Sequence, residues 1–275
     1  MSALPDSDLD WRTDCIRSAA KALELDVDLR VDPSGSPIGR VTTAMASGGV
    51  SELQATYGAL CLRGPPAAGT PSLDALAAWN VASPSVMALR DDGTAVVSAA
   101  VVVAEDPSTW PNRERLREAV RWLSEPADER VDPSGADLTA IARAFGPTFW
   151  LGWPDGSMVA NLPGAIRPER LQVRIVPLSR ETVAFEALSD RYVYAPGWIE
   201  RTFGKGVARF ERARMGLARL QSSLMRGAFV LHPSGRVAFR HAYPVAWGNE
   251  RPDLWTASFC DHAESALALL ESHAG

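Results

Sequence analysis

Apolar and polar positions alternate along this chain with two periods, one helical and one strand-like, and the sequence of periods runs the same course twice. Residues 9–25 place Leu9, Ile16, Ala20 and Leu23 close to one helical face and Arg12, Arg17 and Lys21 elsewhere, which predicts an opening amphipathic helix. Strand-like runs follow near residues 27–31, 38–46 and 53–62, the first two joined through the turn residues Asp32-Pro33-Ser34-Gly35. Residues 64–71 hold three prolines and two glycines and predict a loop, since proline lacks a backbone donor and glycine costs entropy. Ser72 then stands where it can cap a helix running from Leu73 to Asn80. A hairpin is predicted from residues 86–89 and 95–103 around Asp91-Asp92-Gly93, and Leu116, Val120 and Leu123 mark a closing helix.

The second course begins near residue 135. A helix over residues 138–145 precedes strands near 148–151, 157–162, 171–178 and 182–188. Residues 198–225 then form a long amphipathic pattern, with Ile199, Phe203, Val207, Phe210, Leu217, Leu220 and Leu224 as an apolar stripe. Arg201, Lys205, Arg209, Arg212 and Arg219 fall mostly off that stripe. Gly204 and Gly206 each cost about 1 kcal/mol relative to alanine, so regular helix is expected from Val207 onward. A second hairpin follows, residues 228–231 and 237–243 around Pro233-Ser234-Gly235, and Phe259, Ala263, Ala266 and Leu270 mark a second closing helix.

The fold class this predicts is α+β, with two tandem α-βββ-α-ββ-α domains whose antiparallel sheets pack with helices. One strand more is expected in the second domain. The domains are placed at residues 1–125 and 136–275, joined by a linker over 126–135 with two prolines and a glycine. Element order carries this duplication, because residue identity between the halves is low.

Composition narrows the partners. A chain of 275 residues with 46% hydrophobic and 22% charged content can bury a core, and 28 basic against 33 acidic residues leave a net charge of -5. That balance gives no general attraction to nucleic acid or to an anionic membrane, so neither is an expected partner. No apolar run reaches the roughly 18–20 residues that spanning a bilayer needs, and the first ten residues are acidic and polar, unlike a secretory signal. A cytoplasmic location is expected. Cys15, Cys61 and Cys260 are too few and too scattered for a disulfide framework and read as free thiols.

Candidate chemistry is sparse. His232, His241, His262 and His273 all lie near the C-terminal end, and no GxSxG elbow accompanies them. Cys260 and His262 are two apart on a predicted helix and face different ways, so no metal site is expected there. The Gly204-Lys205-Gly206 segment fails the phosphate-loop pattern, having Ile199 where glycine and Gly206 where a hydroxyl residue is required. The acidic pairs Asp91-Asp92 and Asp26/Asp28 fall in a turn and on a strand edge, where solvation accounts for them. The basic face of residues 198–225 reads as a solvated surface or as a seat for an acidic peptide or nucleic acid. Nine tryptophans, among them Trp150 and Trp153 around a turn and Trp247 and Trp255 around a polar loop, complete a core or line an apolar groove.

The repeated plan, with Leu73-Asp74-Ala75-Leu76-Ala77-Ala78-Trp79-Asn80 leading into a hairpin and a closing helix, resembles the fold shared by class I type III secretion chaperones and YbjN-type domains. The resemblance implies a non-enzymatic protein that binds a protein or peptide segment without cofactor or metal. It also implies pairing through the middle helices, so that the tandem copy forms an intramolecular pseudo-dimer, monomeric or paired again as a homodimer. The partner surface expected on this reading comprises Phe203, Val207, Phe210, Leu217, Leu220, Leu224, Arg209 and Arg212. Two alternatives stay open: an enzyme with a site between the halves, using His241 with Asp261 or Glu264, and a structural subunit of a larger assembly.

Overall fold

The computed structural model describes residues 6–32, 35–42, 49–56, 59–67, 69–102, 112–124, 138–144, 150–152, 157–163, 170–178, 182–193, 206–224, 226–232, 235–244 and 252–273. It is a mixed α+β structure with two six-stranded antiparallel sheets and, among the described residues, six α-helices. The N-terminal half runs α1 (Asp6–Leu23), β1 (Val27–Val31), β2 (Pro37–Val41), β3 (Glu52–Thr56), β4 (Ala59–Arg63), α2 (Leu73–Ala82), β5 (Val86–Leu89), β6 (Ala95–Val102) and α3 (Arg113–Arg121). The C-terminal half runs α4 (Thr139–Ala144), β7 (Leu151–Gly152), β8 (Met158–Pro163), β9 (Arg170–Pro177) and β10 (Thr182–Tyr192). It continues with α5 (Val207–Leu220), a 3-10 turn (Gln221–Ser223), β11 (Ala228–Leu231), β12 (Arg236–Pro244) and α6 (Pro252–Ser272).

Strand order is β1-β2-β3-β4-β6-β5 in the first sheet and β7-β8-β9-β10-β12-β11 in the second, so both sheets are a four-stranded meander followed by a hairpin whose second strand returns beside the meander. The expected three-strand meander of the first half is corrected to four, and the expected extra strand of the second half disappears as a difference. Residues 53–62 form two paired strands, with Thr56 opposite Ala59 and Leu53 opposite Leu62. The reason is a change of parity: Leu53 and Ala55 join the main core from odd positions, Leu60 and Leu62 from even ones. One continuous strand would send those two sets to opposite faces.

The opening helix, both hairpins and both closing helices are where the sequence places them. The middle helix α5 starts at Val207, as its glycines predict, with Gly206 at φ 73° preceding it and no side-chain cap. The expected helical residues 198–205, the linker 126–135, Trp153 and Trp247 lie outside the described residues.

The first sheet is covered by α1 and α3, with Ile16, Ala19 and Leu116 buried against Leu53, Leu62, Val97 and Val101. A Cβ on Gly39 would stand 2.6 Å from Cγ2 of Ile16, so glycine is what lets α1 lie so close to β2. The second sheet is covered by α6, where Phe259 meets Phe185 edge-on at 5.4 Å and stacks on Phe239 at 5.9 Å. Trp255 meets Tyr243 at 4.4 Å, and Thr256 donates to the Ala144 carbonyl at 3.3 Å, tying α4 to α6.

Candidate functional site

The two halves meet through corresponding elements. Helix α2 packs on α5 and on β11, while α5 packs back on β5. Leu76, Leu89 and Ala218 form one buried cluster at this junction with Leu73, Met87 and Met215 against it. A second cluster joins Val86 of β5 to Ala228, Val230 and Ala238 of the other sheet. Arg214 of α5 reaches across to Asp74 of α2 at 2.6 Å, also bonds Glu211 at 3.0 Å, and lies over the Phe210 ring at 5.5 Å.

Each middle helix is fastened to the edge strand that follows it by one buried amide. Ser72 caps α2 by accepting from the Ala75 amide at 3.1 Å. At the other end Asn80, 4% exposed, accepts from the Met87 N–H at 2.7 Å and donates to the Met87 carbonyl at 3.0 Å. The Arg90 N–H bonds the Thr94 carbonyl across the hairpin, so antiparallel alternation turns the Met87 groups away from β6. Asn80 therefore stands in for a missing neighbouring strand.

In the other half Gln221, 2% exposed, plays the same part at the end of α5. It accepts from the Phe229 N–H and donates to the Gly227 carbonyl, each at 2.6 Å. Gly227 adopts φ +70°, and a Cβ there would stand 2.4 Å from the Phe239 ring, so the approach to the clamp needs glycine.

Between α2, α5 and β11 lies a cleft of about 70 Å³, walled by Leu73, Ala77, Val81, Leu217, Ala218 and Leu231. Cofactor and drug-sized pockets are about 300–1,000 Å³, so this one holds a single side chain or a few waters. Its α2 wall is apolar yet open: Ala77 is exposed, and Val81 is 44% exposed.

Of the eight residues expected to face a partner, Leu217 alone lines this cleft. Leu220 is buried in the core, Leu217 and Leu224 pack against it, and Val207 and Phe210 are half-buried. Arg209 and Arg212 are exposed, and Phe203 lies outside the described residues. Sequence reasoning missed the α2 wall. Its signal was a helix rich in alanine whose polar residues are Asp74 at its start and Asn80 before the hairpin.

A second cluster of polar groups lies beneath α6. Arg226, 2% exposed, donates through Nη2 to the Ser258 carbonyl at 3.0 Å and Oγ at 2.6 Å, and touches Nδ1 of His262. Nδ1 of His241 sits 2.7 Å from the Tyr243 hydroxyl. Burial pushes His241 well below the ordinary histidine range, and Arg226 and His262 push it further down. Burial and Arg226 likewise bring His262 to about 3. Asp261 is exposed on α6, and Glu264 is buried there. Neither carboxylate is among the groups that shift His241. Burial also raises the thiols, Cys61 to about 11 and Cys260 to about 12, which leaves neither as a thiolate nucleophile near neutral pH.

Among the described residues no group of three or more His, Cys, Asp or Glu is placed to hold a metal ion, and no helix is long and apolar enough to cross a membrane. No protein-family model matches the chain, and no curated protein or solved structure matches it either.

Proposed function

We propose that this chain is a non-enzymatic adaptor that holds a segment of another protein, seating one aliphatic side chain in the cleft between α2 and α5. The observation that carries this reading is the open apolar wall of α2 at a cleft of side-chain size. A partner side chain there would remove apolar surface from water on both sides, worth about 25 cal/mol per Å² before the cost of ordering the peptide.

In the same reading the molecule is an intramolecular pseudo-dimer of two chaperone-like, YbjN-like units. Three features support it: the common strand order, the amide clamps of Asn80 and Gln221, and the meeting of α2 with α5 and of β5 with β11. Contacts in which each middle helix touches the other half's edge strand are the pattern of an isologous dimer. The three free thiols fit a reducing, cytoplasmic setting. His241 belongs to the core on this reading, held neutral by its surroundings.

The test is a random library of short peptides selected on the full-length protein, followed by titration of the recovered sequences. Selected peptides are expected to share an aliphatic anchor and to lose at least about tenfold in affinity, ~1.4 kcal/mol, against Ala77→Trp. Ala77 is exposed on α2 and lines the cleft, so the indole blocks it without entering the core. Recovery of peptides without a common anchor, or equal binding to the tryptophan variant, would remove the cleft reading.

A further inference from the structure

Helix α5 carries a second surface, turned away from the cleft. Arg209, Arg212, Gly216 and Arg219 recur at intervals of three, four and three residues, which aligns them on one helical face, and all four are exposed. Exposed Ala208 and Ser223 share that face and leave the guanidinium groups unobstructed. Leu217, Ala218 and Gln221, which line the cleft, point roughly the opposite way.

The charge on this stripe has no acidic counterpart among the described residues. Glu211 is the single acid of α5, lies off the stripe, and is bonded by Arg214 at 3.0 Å. Among the described residues Arg209 and Arg219 have no acidic partner, and Arg212 Nε reaches the Ala208 carbonyl at 3.3 Å. Some exposed arginines elsewhere are paired, Arg17 with Asp14 at 3.4 Å, Arg30 with Asp28 at 2.8 Å, Arg121 with Glu118 at 3.9 Å and Arg113 with Glu24, while Arg40, Arg117, Arg143 and Arg191 have no acidic partner among the described residues. Like charges along one helical face repel, and mixed signs are the ordinary surface. Among the described residues no acidic side chain pairs with this stripe.

We propose that the Arg209–Arg212–Arg219 stripe docks an acidic segment, rich in Asp or Glu, of a protein partner. Guanidinium groups bind carboxylates through paired N–H donors, and this row spans about 15 Å, the length of four or five extended residues. Nucleic acid is disfavoured, because the stripe has no aromatic side chain on which a base could stack. An anionic membrane is disfavoured, because the stripe carries no large exposed apolar side chain to enter the lipid. The proposal does not depend on the cleft, since the two surfaces lie on opposite sides of α5 and either can fail alone.

The experiment titrates full-length protein with three probes: a labelled peptide of alternating Glu and Ser, a single-stranded oligonucleotide of equal charge, and phosphatidylserine-containing vesicles. The acidic peptide is expected to bind most tightly and to weaken as salt rises. Its affinity falls at least about tenfold in the Arg209→Gln/Arg212→Gln/Arg219→Gln variant and is partly kept in the corresponding lysine variant. Ala77→Trp leaves it unchanged. The glutamine variant removes charge without reversing it and is checked for an unchanged melting temperature, and single substitutions read the same loss in smaller steps should the triple variant unfold. Absence of peptide binding, equal binding by the glutamine variants, or tighter binding of the oligonucleotide or vesicles would overturn the proposal.

Discussion

The least exposed carboxylate of the second sheet is Glu186, 2% exposed in the middle of β10. It stands directly opposite Arg174 on β9 and Arg240 on β12. Its oxygens lie 3.5 Å from Arg174 Nη1, 3.4 Å from Arg240 Nε and 3.2 Å from His232 Nε2. Burial works to raise its pKa, but the close approach of His232 and the charges of Arg240, His232 and Arg174 outweigh it and hold the carboxyl below its ordinary value. A folded pKa below the unfolded one, about 4.3 for glutamate, contributes stability that is present above that pH and is lost as pH falls through the folded value. Glu186→Gln is expected to cost about 3–5 kcal/mol at neutral pH by stranding buried arginines, with the difference from the parent shrinking below about pH 4. Urea unfolding of both proteins at neutral and acid pH checks this. A difference that stays constant down the acid limb would mean that Glu186 acts through packing and not through its charge.

At the scale of elements, the matched clamps of Asn80 and Gln221 decide how the middle helices are tied to the hairpins. Asn80→Ala leaves the outward N–H and carbonyl of Met87 without a partner, and Gln221→Ala does the same to the Phe229 N–H and Gly227 carbonyl. Each substitution is expected to cost about 2–4 kcal/mol, from two buried groups at about 1–3 kcal/mol each with some recovery through water. Hydrogen exchange should quicken at the Met87 amide in the first variant and at the Phe229 amide in the second, while the core strand β4 stays protected. Unchanged exchange at these two amides would argue against the clamps. Asn80 was legible in the sequence because a polar residue ends an alanine-rich helix just before a hairpin. Gln221 was not, because Leu217, Leu220 and Leu224 keep a helical period through it, although the helix gives way to a 3-10 turn at that residue. The parity change between Leu53 and Leu60 was present in the sequence too, with Gln54, Thr56 and Gly58 interrupting the apolar residues between them. Periodicity finds the buried face of α5, but it cannot tell a core face from a partner surface: Leu220, expected to face a partner, is buried in the core.

For the whole molecule, the junction of the halves is where the argument for a fused pair becomes testable. Val86, Leu76 and Leu89 on one side and Ala218, Ala228 and Val230 on the other are all buried where the halves meet. Separation would return both apolar sets to water. The Arg214–Asp74 pair across the junction adds little, since the Asp74 side chain is 89% exposed and such pairs contribute about 0.2–1 kcal/mol. Apolar packing therefore carries the association, and it ought to survive the loss of the covalent link. Residues 1–125 and 136–275, produced separately, are expected to form a one-to-one complex on mixing. Each alone should self-associate through the same α2 or α5 face, because the two faces are built to one plan. Light scattering coupled to size-exclusion chromatography measures both states, and Val86→Asp should weaken the mixed complex while 0.5 M salt does not. Two folded, monomeric halves that ignore one another would end the pseudo-dimer reading, for they would show that the repeated topology built two independent surfaces and not one shared interface.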